Sequence, residues 1–131
     1  MLLYRFLNYF FFAFHTGIIL FNTFGYIPRK TRKWNLALLL LTAFSWFVLG
    51  IWYGWGFCIC TEWHWQVREQ LGYGYPADSY THFLAQQLTG INFSPRAVDI
   101  ATAADFFISL ILSITLNVHD WLRSRAQNNL R

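Results

Sequence analysis

The sequence predicts an all-α membrane protein with three transmembrane helices, and with short interfacial helices in the connection between the second and the third. Three observations lead there. Apolar stretches at about 2–27, 34–57 and 100–121 each match the roughly 20 residues a helix needs to cross a hydrocarbon core about 30 Å thick. Charged residues are 12% of the 131-residue chain and hydrophobic ones 56%, against about 25% charged in soluble domains. The basic residues gather in two places, Arg29, Lys30, Arg32 and Lys33 in one loop and Arg123, Arg125 and Arg131 in the tail. At this length a single membrane domain, 1–131, is expected.

The first span is rich in phenylalanine and is interrupted by Arg5, Asn8 and His15. Its length, aromatic content and end in Asn22, Gly25 and Pro28 argue against a cleaved signal, which has a short apolar core and a small-residue cleavage site. It is expected to stay in the mature protein. After the basic turn, the second span has Leu38 to Leu41 at its centre, and Trp46, Trp52 and Trp55 toward its far end. Tryptophan is enriched where membrane meets water. Gly50 and Gly54 are four apart there, which reads either as a notch for a neighbouring helix or as a softened helix end.

The connection 58–99 opens on Cys-Ile-Cys-Thr-Glu-Trp-His-Trp-Gln-Val-Arg, the stretch where chemistry is most expected. Residues 62–71 suit an amphipathic helix with Trp63, Val67 and Leu71 on one face. Gly72, Gly74 and Pro76 break it, and Asp78 or Ser79 is placed to cap a second short helix at 80–88. Both helices are expected on the bundle surface. The third span leads into a basic tail, 122–131.

Basic residues favour the cytoplasmic side. The first loop and the C-terminus are therefore expected in the cytoplasm, and the N-terminus and the cysteine stretch outside. Positive charge placed this way fixes topology, so no nucleic-acid partner is expected. The partners that are expected are the lipid bilayer and other membrane subunits.

The intramembrane polar residues Arg5, His15, Asp105 and Asn117 are costly in lipid and should be paired or internal. Threaded side by side, spans one and three put Arg5 level with Asp105, which suggests an ion pair with Asp105 or Asp99. The alternative is that Arg5 snorkels to the interface. His15 lies near mid-membrane and suits a hydrogen bond to a backbone carbonyl, to Thr115 or to Ser113. Haem ligation by His15 and His119 fits poorly, because the two are offset by one to two turns. Asn22 and Asn117 suit interhelical hydrogen bonds.

Cys58 and Cys60 have three readings. A disulfide two residues apart is strained; with His64 and His82 the thiols offer soft ligands for copper or zinc; or they pack as small hydrophobes. Glu62, His64, Glu69 and His82 supply acid/base groups, but there is no phosphate loop, no nucleophile elbow and no His-Glu-x-x-His. No cofactor is expected, and an enzyme is the less favoured class. Two functions are open: a structural or accessory subunit of a larger membrane complex, or a small redox or metal-handling protein using the outward Cys/His segment.

The chain resembles a family of small bacterial integral membrane proteins catalogued only as a domain of unknown function. The likeness rests on Tyr4-Arg5, His15, Phe21 to Gly25, Cys58, Thr61, Arg68, Gly72, His82-Phe83-Leu84, Arg96 and Asn117. Ile59 stands where the family has proline, His64 where it has an acidic residue unless Glu62 takes that part, and Cys60 where it is apolar. The resemblance implies a compact bundle in a bacterial inner membrane, with the outer connection folded over it. It implies no activity.

Overall fold

The computed structural model describes residues 1–74 and 80–131; the expected caps Asp78 and Ser79 lie outside the described residues. In chain order the elements are α1 (Leu2–Phe24), α2 (Arg32–Ala43), a π-helical stretch (Phe44–Leu49), α3 (Gly50–Tyr53), α4 (Ile59–Gln70), α5 (Tyr80–Thr89) and α6 (Pro95–Asn129). Among the described residues there is no strand. Three helices are long and apolar enough to cross a membrane: Leu2–Phe24, Arg32–Tyr53 and Pro95–Asn129.

The turn between the first two spans is tied by Asn35, which is fully buried. Its Nδ2 donates to the Phe21 carbonyl at 2.7 Å, which also accepts from Gly25 N–H, and to the Asn22 carbonyl at 3.3 Å, adding side-chain donors at a helix end whose last carbonyls run short of partners. Gly25 is required there by closeness, not by backbone conformation. A Cβ on it would meet the Phe21 carbonyl oxygen at 2.5 Å and Asn35 Nδ2 at 2.8 Å.

α2 and α6 pack along each other around Leu39 and Phe106, with the Trp46 and Phe106 rings 4.7 Å apart. Asn117 donates to the carbonyls of Arg32 at 3.1 Å and Ser113 at 2.7 Å. Arg32 is held by Asp120 at 2.8 Å and donates Nε–H to the Tyr26 carbonyl at 2.9 Å. Asn22 donates to the Thr42 hydroxyl at 3.1 Å. Such bonds inside lipid contribute about 0.6 kcal/mol each on average, so it is their number that fixes the three spans.

Arg5 and Asp105 are not partners. Asp105 accepts from the Thr23 hydroxyl at 2.9 Å, while Arg5 is exposed and in no ion pair among the described residues. Thr23 is 18 residues beyond Arg5, about 27 Å along a helix at about 1.5 Å per residue. The expectation of equal depth fails because α1 meets α6 near its C-terminal end instead of lying level with it.

The second span ends at Tyr53, short of residue 57. Gly54, at φ +107°, turns the chain out of the helix, and residues 54–57 double back along the π-helical stretch. Gly56 N–H donates to the Trp46 carbonyl at 3.4 Å and the Ser45 hydroxyl donates to the Phe57 carbonyl at 2.8 Å. Gly50 lets this returning segment close in, since a Cβ on it would sit 3.3 Å from Trp55 Cα. The glycine notch thus receives the chain's own turn. The third span is longer than expected, running unbroken from Pro95 to Asn129, because nothing in the polar tail breaks a helix. Residues 121–131 are exposed.

The buried face of α4 is not the expected Trp63, Val67 and Leu71 face. The helix packs on α1 and buries His64, Trp65 and Val67, while Trp63 is 49% exposed. α5 buries Tyr80, His82, Phe83 and Leu84. The core is Trp65, Tyr80, Phe83 and Leu84, with Phe12 and Ile19 of α1 against it. The face of α4 differs from the expected one because helices cover it from two sides.

Gly25→Ala is expected to destabilise the protein in detergent by about 1 to 3 kcal/mol, as overpacking does. Gly17→Ala, with nothing within 4 Å of its Cβ, should be neutral or add up to about 1 kcal/mol. Reversible unfolding of the two variants side by side checks this.

Candidate functional site

The site is built where α1, α4 and α5 meet. Asn8, Phe11, Phe12, His15 and Ile19 recur at three- and four-residue steps, so they share one face of α1. That face is covered by α4 and α5. α4 is capped by Cys58, whose backbone is extended (φ −134°, ψ 121°). It stops at Gly72, where φ +80° lets Tyr73 N–H return to the Arg68 carbonyl at 3.0 Å. This turn sets the Tyr73 ring beneath Arg68, whose guanidinium carbon is 5.0 Å from the Tyr73 centroid and 4.7 Å from that of Phe83.

At the centre is His64, 0% exposed. Its Nε2 lies 2.9 Å from Asn8 Oδ1; a carbonyl oxygen accepts, so Nε2 carries the proton and Nδ1 presents a lone pair. Phe11 stacks on the His64 ring at 5.9 Å, and Tyr80 lies 5.6 Å from it. Tyr80 in turn stacks face to face on His15 at 3.8 Å and lies 5.4 Å from Trp65. Four buried polar atoms in this cluster have no hydrogen-bond partner among the described residues: His15 Nδ1, His64 Nδ1, Tyr80 Oη and Arg68 Nε.

Burial dominates the ionisation of these groups. It lowers His64 from 6.5 to about 4, with the positive charge of Arg68 pushing the same way and the Asn8 hydrogen bond opposing. Burial holds the Tyr80 phenol above its usual range, against the pull of Arg68. It also raises the Cys60 thiol, and the neighbouring Cys58 adds to the rise. At neutral pH the centre is therefore neutral imidazole, phenol and thiol beside one guanidinium. A thiol kept protonated is a poor nucleophile and a poor metal ligand.

The residues singled out in the sequence fall in several places. Cys58 and Cys60 are free, half-buried neighbours at the start of α4. His82 turns the other way, Nε2 donating to the Phe93 carbonyl at 2.8 Å. Glu62 accepts from Gln66 at 3.2 Å, and Glu69 is exposed. No three His, Cys, Asp or Glu side chains among the described residues stand close enough to share a metal ion. His15 meets Tyr80, not Ser113 or Thr115. Thr115 bonds back to the Ile111 carbonyl, and Ser113 sits beneath Asn117. His119 is 67% exposed at the basic end beside Asp120, so it does not face His15. Asn8, Arg68 and Tyr80 were not among the predicted site residues. The signal that could have found them is the pairing of Asn8 with His15 on one face of α1, a polar stripe that needs a partner.

The family described as "Protein of Unknown function (DUF2784)" matches residues 5–127. The chain belongs to this family. The match takes in most of the first and third spans, all of the second, and both α4 and α5. No curated protein and no solved structure matches the chain.

His64 titrates at about 6.5 when unfolded and about 4 when folded, so between those values the unfolded chain binds more protons. Its contribution is complete above about pH 6.5 and is lost as pH falls toward 4. Two and a half units at about 1.4 kcal/mol per unit amount to roughly 3 kcal/mol. Unfolding followed by tryptophan fluorescence in detergent should show this loss in the wild type, and much less of it in His64→Gln.

Proposed function

We propose that the chain is a structural or accessory subunit of a larger complex in the bacterial inner membrane, with the N-terminus outside and the Arg29 to Lys33 loop and C-terminus in the cytoplasm. The observation that carries the reading is an aromatic ladder on the outer face of α1. Phe6, Phe10 and Phe14 stack in sequence at 6.4 and 5.7 Å, each between 45% and 64% exposed. Stacked rings form a rigid ridge that loses little entropy on docking against another helix, as aromatic anchors do in protein interfaces. The polar residues within the spans support the same reading. Asn22, Asn35, Thr42 and Asn117 tie helix to helix, which suits a scaffold.

In mild detergent the chain should purify with membrane proteins at fixed stoichiometry. Replacing Phe6, Phe10 and Phe14 together by leucine should release them while the chain's own melting temperature stays within a few degrees. A chain that runs alone and monodisperse from gently solubilised membranes, with the triple variant unchanged, would count against it.

The orientation has its own check in a background with Cys58 and Cys60 replaced by serine. Lys30→Cys should resist a membrane-impermeant maleimide in intact cells, whereas Glu69→Cys should react. The reverse pattern would invert the topology.

A further inference from the structure

We propose that His15, His64, Arg68 and Tyr80 form a binding site for a phosphate oxyanion, carried on a lipid headgroup or free. The four come from three elements and close on one another through ring contacts: His15 on Tyr80 at 3.8 Å, His64 to Tyr80 at 5.6 Å, Tyr80 to Phe83 at 5.7 Å, and Arg68 over Phe83 at 4.7 Å. His64, Tyr80 and His15 are more than nine-tenths buried, at 0%, 6% and 8% exposure. Each of the four holds a buried nitrogen or oxygen with no partner among the described residues. An unmade hydrogen bond at a buried group is costly, and a native fold rarely leaves several together without a use for them.

The chemistry of the free atoms selects the ligand. Arg68 Nε–H can only donate to an incoming group, Tyr80 Oη–H has a proton free to donate beside it, and neither binds a metal in these protonation states. The guanidinium repels any cation brought beside it. No carboxylate neutralises Arg68 among the described residues. Among the described residues, the groups facing the cluster are His15 and Asn8 from α1, Cys58 and Arg68 at α4, Tyr73 beyond it, and Tyr80 from α5, and none of them is a carboxylic acid. A phosphate oxygen accepts from Arg68 and Tyr80 and supplies the missing negative charge.

His64 completes the site by taking up a proton. Its Nε2–H is already committed to Asn8 Oδ1, so a proton added at Nδ1 points a second donor into the cluster. The nearby anion offsets the burial and the Arg68 charge that otherwise keep the ring neutral. Anion and proton should therefore bind together, and binding should tighten as pH falls. The site is independent of whether the chain is an accessory subunit.

The test uses the full chain in an uncharged maltoside detergent. Melting temperature is followed on titration with inorganic phosphate, with phosphatidylglycerol, and with diacylglycerol as the phosphate-free control. Phosphatidylglycerol should raise the melting temperature where diacylglycerol does not. Its apparent affinity should strengthen at least threefold from pH 7.5 to pH 6, a range in which the phosphodiester charge is constant. Arg68→Gln should weaken binding tenfold or more, and Tyr80→Phe severalfold. Without ligand, Tyr80→Phe should melt no lower than the wild type, because it deletes an oxygen that bonds to nothing; this variant keeps the test decisive if Arg68→Gln fails to fold. A response to inorganic phosphate as well assigns the site to free phosphate, and a response to phosphatidylglycerol alone assigns it to lipid. If neither phosphate probe shifts the wild type, or if the shift survives unchanged in both variants, the proposal is overturned.

Discussion

The structure depends on how α1 is covered. A span of 23 residues has to satisfy whatever polar groups it carries, and α1 carries Asn8 and His15 on one face. The other two long helices do not reach them: α6 meets α1 at Thr23, and α2 meets it at Phe21 and Asn22. The N-terminal part of α1 is therefore left to α4 and α5. They supply it with a hydrogen-bonding histidine, a stacked tyrosine and most of the apolar core. Without that cover Asn8 and His15 would face lipid, which is costly for amide and imidazole groups.

This division accounts for the sequence of α4, which has too few apolar residues to span a membrane and too many aromatic ones for a free loop. Its start is fixed by the return of residues 54–57 along the preceding helix. Gly54 and Gly56, at φ +107° and +82°, reverse the chain, so α4 begins beside Ser45 and runs back along α1. Non-helical backbone is tolerated at membrane depth only where protein covers it, and the bonds from Gly56 to Trp46 and from Ser45 to Phe57 meet that condition.

What could be read from the sequence followed from solvent preference and local punctuation. Long apolar runs gave the three spans, Gly72 and Gly74 bounded the first short helix, and the basic loop marked one end. What could not be read was offset. Equal-depth threading pairs Arg5 with Asp105, but hydropathy carries no information on how far one helix slides along another. That slide is set by particular contacts, such as Thr23 with Asp105 and Asn117 with Arg32. The site was hidden for the same reason. His64 stood out beside two cysteines as a ligand candidate, yet its partners Asn8 and Tyr80 are 56 and 16 residues away in sequence, and neither belongs to a recognisable motif.

The chain contains its own reference for how an intramolecular arginine is satisfied. Arg32 has a carboxylate at 2.8 Å and a backbone carbonyl at 2.9 Å, and its side chain is 14% exposed. Arg68 is also partly buried, but it lies over two aromatic faces and its Nε has no acceptor. Cation–π contact with Phe and Tyr offsets only part of the desolvation of a guanidinium, and Glu62 and Glu69 on the same helix do not reach it. A purely structural arginine could have been matched with an acid here, as Arg32 is with Asp120. Among the described residues no acid matches this charge beside Tyr80, His15 and His64, which costs stability, and that cost is consistent with a negative group arriving from outside the chain.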